Sequence, residues 1–543
     1  MGTVRASPDA GEPADRIGRL LAVRGLRNLF GVPGGGHSSD VIVAADTHGA
    51  RFVLSQTETG AALMAAAQAE ITGQAGACIT TLGPGVTSVV NGVTHAWLDH
   101  AAILVLADAP PGPADVVGIH QRVEQRAVLA PVTKGQVVIG REHVEATMAR
   151  AFELAEASPP GPVYVELGFD GAATDEPEPD IARPGVADED GRAIDDNVWD
   201  ELRPVIAASR RPMVLVGLEV RSPEGIAAVR EFCRDRDVPA LVTYKGKGVI
   251  PDSSPQFAGV VTNSAIEASI LEQADLFIAV GLDPIELLAR PWPYSAPVID
   301  ISQVHHPDGQ LPVRGRMHVG PIEGLQWVGA ALGATDGAAR AHARANGRRQ
   351  RLAALGSGRL TSTTAVAEMA ARWSSSARVT VDAGAHMLPA MQLWPVEARA
   401  DILISNGLST MGFALPAAIG AALLEPGRRV VAITGDGGLL MCLGELATLA
   451  RENLDVSVVV FDDRALSLIK LKQEQRGVTV GVDLGAVDWV GLAASMGIRG
   501  FAVETLDALA TCLAQIGSSP GPSVLAVRIE STDYVPVLRA IRG

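Results

Sequence analysis

Short runs of apolar residues alternate along the chain with longer stretches whose apolar positions recur at helical spacing. Residues 102–109 (AILVLADA) and 456–461 (VSVVVF) are runs of the first kind, as are 212–220 (PMVLVGLEV), 240–246 (ALVTYKG), 276–283 (LFIAVGLD) and 297–302 (PVIDIS). A nearly continuous apolar strand has both faces buried, the habit of parallel sheets that carry helices on each side. The pattern predicts an α/β chain of doubly wound parallel-sheet domains. Two segments break it. Residues 174–196 are acidic and carry prolines, which reads as a linker, and residues 334–350 are small, polar and basic, either a surface helix or a second linker. Three domains are expected on that division, at about 16–175, 196–335 and 355–543. The first and third share a layout. Residues 77–109 read as strand, Gly83-Pro84-Gly85, helix and apolar strand; residues 430–463 read as strand, Gly435-Asp436-Gly437, helix and apolar strand. A glycine turn at the carboxyl end of a parallel strand brings backbone and helix N–H groups to a ligand, although ordinary βα turns look the same.

Composition narrows the class. Apolar residues make up 47% and charged residues 20% of 543, as in chains that bury large cores. Lys and Arg number 45 against 61 Asp and Glu, a formal net charge of −16, so a phosphate backbone would be repelled and nucleic acid is not an expected partner. Cys78, Cys233, Cys442 and Cys512 lie far apart with no Cys-x-x-Cys pair. Neither a zinc site nor a disulfide framework is expected, and the reading is cytoplasmic. The first fifteen residues lack the apolar segment of a secretory signal, and the apolar runs are too short for a membrane span.

The chemistry concentrates at Gly435-Asp436-Gly437-Gly438, followed by a helix, an apolar strand and Phe461-Asp462-Asp463. Asp463 follows Asp436 by 27 residues. A βαβ unit of that length returns its second strand beside its first and puts both acids at one edge of the sheet. Two carboxylates there repel each other unless a cation lies between them. Mg²⁺ suits the place, since it takes one or two carboxylates and completes its octahedron with phosphate oxygens and water. Each aspartate also fits a plainer use, Asp436 as a helix cap and Asp463 as a turn cap.

Residues 435–463 resemble the signature of the thiamine-diphosphate enzymes: Gly-Asp-Gly, about thirty residues, then a pair of Asn or Asp. The likeness runs on through LSLIKLKQ (466–473) and covers nearly the whole chain. FGVPGG (30–35), ETGAALMAAAQAEITGQAGACITTLGPG (58–85), HQRVEQRAVLAPVTK (120–134), GPVYVELGFD (161–170), VGLDPIEL (280–287) with Trp292, and SNGLSTMGFALPAAIGAAL (405–423) carry it in order. The group most similar is that of acetolactate synthase and pyruvate oxidase, and within it the FAD-independent, catabolic acetolactate synthases.

The resemblance implies a pyrimidine-binding, a central and a diphosphate-binding domain, with thiamine diphosphate and Mg²⁺ as cofactors. It makes Glu58 the catalytic carboxyl that hydrogen-bonds the aminopyrimidine. Gly60, Ala61, Ala62 and Leu63 would keep it poorly solvated and suited to proton exchange. Met411 falls where a large apolar residue props the cofactor into a bent shape. Gly384, Ala385, His386, Gly407, Ser409, Gly435, Gly437, Gly438, Leu466, Ser467, Leu468 and Pro33 are the further cofactor contacts it implies. Asp436 and Asp463 become the metal ligands, with the Ala465 carbonyl as a third. Gly34, His120, Gln121, Lys134, Leu471, Lys472 and Gln473 fall on the substrate side.

Three positions depart from the pattern: Asp462 where Asn is usual, Thr57 where His commonly precedes the glutamate, and Leu471 where the catabolic synthases show Trp. The last two leave the exact substrate open. The implied reaction is decarboxylation of a 2-oxo acid and carboligation of the resulting enamine to a second 2-oxo acid, in an acetolactate synthase-like enzyme. A 2-oxo acid decarboxylase or another carboligase would share the first steps, and a non-catalytic paralogue is the rival of a different class. FAD is expected to be absent. Active sites in this superfamily are shared between subunits, so a homodimer or a dimer of dimers (a homotetramer) is expected.

Overall fold

The computed structural model describes residues 11–110, 120–169, 196–306, 309 and 311–543. The linker reading of 174–195 therefore lies outside the described residues. The apolar runs do form strands, arranged as three parallel six-stranded sheets. The first holds β1 (Asn28–Gly31), β2 (Arg51–Leu54), β3 (Gly76–Thr80), β4 (Ile103–Asp108), β5 (Gly135–Ile139) and β6 (Pro162–Leu167) in the order β2-β1-β3-β4-β6-β5. The middle sheet holds β7 (Pro212–Val216), β8 (Ala240–Val242), β9 (Phe257–Val260), β10 (Leu276–Val280), β11 (Val298–Ile301) and β12 (Val313–Met317) in the order β12-β11-β10-β7-β8-β9. The third holds β13 (Arg378–Val381), β14 (Ile402–Ile404), β15 (Val430–Gly435), β16 (Val456–Asp462), β17 (Arg499–Val503) and β18 (Ser523–Arg528) in the order β14-β13-β15-β16-β18-β17. Counted from its own first strand, the third sheet repeats the strand order of the first.

The central strands β4 and β16 are buried along their whole length, which is why they read as unbroken apolar runs. Edge strand β12 is largely half-exposed and gave no such signal. Residues 339–350 of the ambiguous basic segment fall in a helix, Ala339–Ala353. The single helix expected after Gly435 is two, Asp436–Met441 and Glu445–Glu452, broken between them.

By its internal contacts the chain makes two compact units. One consists of 1–184 with 415–427 and 442–456; the other consists of 185–414, 428–441 and 457–543. The break between the two helices is where the chain passes from one unit to the other. In the first unit, Ile17, Leu29, Val41, Leu104 and Phe152 share a core. In the second, the middle sheet is covered on both faces, and Val379, Val431, Val459, Leu525 and Trp394 belong to the core of the third sheet. Among the described residues no helix is long and apolar enough to cross a membrane.

Candidate active site

Neighbouring strands β13, β15 and β16 end together, and a cavity of about 250 Å³ opens at those ends. Asp436 opens the helix after β15, and its carboxylate ties two turns together. Oδ1 accepts from the Gly437 amide at 2.7 Å and Oδ2 from the Arg464 amide, beyond β16, at 2.6 Å. Asp463 lies just past β16. Its Oδ1 accepts from the Ala465 amide at 3.1 Å, its Oδ2 from the Ser467 hydroxyl at 2.6 Å, and Tyr534 donates to it as well. Asp463 thus makes the turn cap read from the sequence, whereas Asp436 bonds the adjacent amide and Arg464 rather than capping its helix, and both carboxylates line the cavity. Burial, and then the charge of Asp463, lifts Asp436 to about 6; burial lifts Asp463 too. Two poorly solvated like charges at one sheet edge are an arrangement that a cation relieves. The Ala465 carbonyl is a fitting third donor, since the antiparallel bridge between Ala465 and Asp483 is bonded through Leu466 and Arg464 instead.

The rest of the wall is uncharged. His386 is 4% exposed and stacks on Phe461 at 5.7 Å. Its ring is held by the backbone of Asp382, and its Nε2 is buried with no hydrogen-bond partner. Burial drives the imidazole down to about 4, so the ring is neutral. A Cβ on Gly438 would collide with the Asp382 carboxylate, and one on Gly437 would crowd Leu466 and Met411; only glycine lets this helix start pack so closely. Gly384, Ala385, Ser409, Met411, Gly435, Leu466, Ser467 and Leu468 also line the cavity. Gly407, Leu471, Lys472 and Gln473 do not. Gly407 sits earlier in the Ser409 loop, Leu471 packs on the third-sheet core, Lys472 is exposed, and Gln473 spends its amide on the backbone of Val480.

Glu58 belongs to the other compact unit. It is half-buried in the first turn of the helix Glu58–Thr72, whose N-cap Thr57 accepts from the Gly60 amide at 2.9 Å. Glu445 completes that cap, its Oε1 accepting from the Gln56 and Thr57 amides at 3.0 and 3.1 Å. Pro33 is exposed and Gly34 half-buried in the loop after β1, with Gly34 packed against Thr81. His120 and Gln121 are exposed, and the Gln121 carbonyl lies against Gly83. The Lys134 ammonium donates to the Ala157 carbonyl at 2.6 Å, at the end of the helix Val144–Glu156, a helix-terminus role for a residue expected on the substrate side.

Family models described as the N-terminal, central and C-terminal domains of the thiamine pyrophosphate enzymes match residues 13–128, 200–314 and 382–527. The chain belongs to the thiamine pyrophosphate enzymes. It is 30% identical over 539 residues to the catabolic acetolactate synthase of Raoultella terrigena, spanning 96% of this chain and 95% of that one. An acetolactate synthase of Bacillus subtilis is 27% identical, with 96% and 94% covered. A protein of Pseudomonas aeruginosa named "Probable 2-ketoarginine decarboxylase" is 29% identical, with 85% and 83% covered. The chain is an acetolactate synthase-like enzyme that depends on thiamine pyrophosphate.

Within this thiamine pyrophosphate enzyme the cavity falls in the C-terminal TPP-binding domain, with one exception: Tyr534 stands beyond the matched stretch. Motif reading missed it, and missed Asp382 as well. Asp382 is fully buried and accepts from the amides of Gly412 (3.1 Å), Phe413 (2.7 Å) and Ala414 (3.3 Å) and from the Thr434 hydroxyl (2.8 Å). It fixes the Met411 loop to β13 and β15. Burial raises it to about 6. Glu70, His95 and Asp99 form another buried ionisable group. There Glu70 lies 3.8 Å from one ring nitrogen of His95 and Asp99 3.6 Å from the other, and one ligand atom from each residue falls within 4.8 Å of the others.

Proposed function

We propose that the chain is a Mg²⁺-dependent enzyme that decarboxylates a 2-oxo acid and joins the remaining acyl carbon to the carbonyl of a second 2-oxo acid. With pyruvate in both roles the products are acetolactate and carbon dioxide. The observation that carries this is the pair of buried Asp436 and half-buried Asp463 beside an unsatisfied His386 in a cavity at the carboxyl end of the third sheet. Bound thiamine diphosphate would supply the electron sink for loss of carbon dioxide.

The residues present fit that cofactor. Asp436, Asp463 and the Ala465 carbonyl would hold Mg²⁺. Gly384, Ala385, His386, Ser409 and the Gly437–Gly438 turn would border the diphosphate, with neutral His386 Nε2 as donor or acceptor. Met411 would support the cofactor's bend. Glu58 would exchange a proton with the aminopyrimidine ring.

The cavity-lining residues lie in one compact unit and Glu58 in the other; a second copy of the chain completing the site is the reading that the family resemblance implies. Leu440 and Met441, after Asp436, and Ile469, Val478 and Val480, after Asp463, are exposed apolar side chains, up to 76% for Val480. Such side chains suit a face covered by a partner. The assembly proposed is a homodimer or a dimer of dimers, and the proposed location is the cytoplasm.

The middle sheet supports a chain without FAD. Its order has a dinucleotide-fold switch point between β7 and β10. There Glu286 accepts from the Leu218 amide at 2.7 Å, and Glu219, Asp283 and Asp300 gather around. The Leu218 N–H is thereby spent on Glu286 and is not free for a pyrophosphate. The decarboxylase-named relative favours one second reading, in which a proton takes the place of the acceptor acid. Mass-spectrometric product identification over a panel of 2-oxo acids, with Mg²⁺ and thiamine diphosphate, separates the two. A 2-hydroxy-2-acyl acid is expected; an aldehyde as sole product would replace the synthase reading, and a yellow protein would overturn the absence of FAD.

A further inference from the structure

The cavity wall contains one side chain from outside the matched TPP-binding domain. Tyr534 is 4% exposed, opens the final helix Tyr534–Arg542, and gives its hydroxyl hydrogen bond to Asp463. Its position is set with care. Asp533 is 1% exposed, and its Oδ2 accepts from the Ser362 hydroxyl at 2.9 Å and from the amide and hydroxyl of Thr363 at 3.1 Å each. The carboxylate thereby anchors to the first turn of the helix Ser362–Trp373. The next residue is driven into the third-sheet core, where Tyr534 packs with Val537 and Ile541. A tyrosine needs no hydroxyl to fill such a core, and a buried phenol demands a partner. Here that partner is one of the two carboxylates that face the cavity.

We infer that Tyr534 is a positioning residue for the cofactor site: its hydroxyl, together with Ser467 and the Ala465 amide, holds the Asp463 carboxylate in the orientation that receives the divalent ion. The claim rests on the Mg²⁺–thiamine diphosphate reading above. A carboxylate held by three donors has few rotamers left, so a metal finds its ligand already placed. In this role Tyr534 acts through Asp463.

The test is titration of the full-length chain, stripped of metal and cofactor, followed by intrinsic tryptophan fluorescence. Mg²⁺ is titrated at saturating thiamine diphosphate, then thiamine diphosphate at saturating Mg²⁺, for wild type, Y534F and Y534M, with the melting temperature of each apo protein. Both variants are expected to weaken Mg²⁺ binding about tenfold, in keeping with a hydrogen bond to a charged group. Affinity for thiamine diphosphate at saturating Mg²⁺ is expected to change far less, with the apo Y534F melting temperature within a few degrees of wild type. Mg²⁺ affinity equal to wild type in either folded variant would overturn the positioning role. A loss of Mg²⁺ affinity that merely tracks a large fall in melting temperature, absent from whichever variant stays stable, would also overturn it. If wild type itself shows no Mg²⁺-dependent binding, the cofactor reading fails instead.

Discussion

The first and third sheets share one strand order, yet their corresponding edges are built for different work. In the third, β15 runs into Asp436, and β16 is followed by Asp463. In the first, β3 leads through Gly83 to Pro84, which opens its helix where Asp436 opens the other. The acid that ends β4, Asp108, is buried at 3% exposure and committed to the protein itself: its oxygens accept from the amide and hydroxyl of Ser38 at 2.7 and 2.6 Å. That carboxylate caps the start of the helix His37–His48. Topology supplies the ledge in both regions; whether a ligand sits on it depends on two side chains. The first region contributes chemistry from a different place, the start of the helix that carries Glu58.

Five substitutions break or sharpen this contrast. The largest effect is expected for Glu58→Gln, which removes the acid of the first region and leaves the third intact. Steady-state turnover should fall about 10³-fold while thiamine diphosphate binding by titration stays within a few-fold of wild type; full turnover would remove Glu58 from the chemistry. Next comes the pair D463N and D108N. D463N should lower Mg²⁺-supported cofactor affinity by at least about 100-fold with little change in apo stability. D108N should do the reverse, costing about 1–3 kcal/mol in urea unfolding with cofactor affinity unchanged. Equal behaviour of the two would erase the distinction between a ligand edge and a capping edge.

Smaller still is E445Q. Glu445 caps the strand-to-helix turn at Gln56 and Thr57, so losing its charge at that helix start should cost about 1 kcal/mol by chemical denaturation. A variant as stable as wild type would deny the cap any weight.

A pH-dependent effect concerns the middle sheet. Burial raises Glu286 to about 8 from an ordinary value of 4.5. The folded state therefore holds a proton that the unfolded state releases, and this contribution is full below about 4.5 and is lost as pH rises toward 8. E286Q should flatten that part of the stability-versus-pH curve, read by thermal melts between pH 5 and 8 (roughly). An unchanged slope would mean that Glu286 ionises freely.

Much of this was legible in the chain. β4, β7, β10 and β16 announced themselves because both faces are buried, leaving no polar positions to interrupt the pattern. Asp436 and Asp463 could be found by spacing because a βαβ unit converts 27 residues into adjacency. What stayed hidden depends on contacts remote in sequence or on competition for one side chain. Glu445 caps Gln56 across 389 residues, and Asp382 reaches Thr434 across 52; neither has a local pattern. Tyr534 looks like any core aromatic until its hydroxyl is followed to Asp463. Lys134 and Gln473 read as residues free to meet a substrate, and both are engaged by nearby backbone carbonyls. The break between Met441 and Glu445 carries no proline to mark it, and it falls where the chain passes between compact units.

The metal site can be examined directly. Crystals grown with Mn²⁺ and thiamine diphosphate, measured at the manganese absorption edge, report the ion's position without reliance on activity. The expected result is one anomalous peak bounded by an Asp436 oxygen, an Asp463 oxygen and the Ala465 carbonyl, each at roughly 2.0–2.3 Å, with diphosphate oxygens completing the shell. A peak elsewhere, or cofactor bound with no ion between those two aspartates, would contradict the assignment.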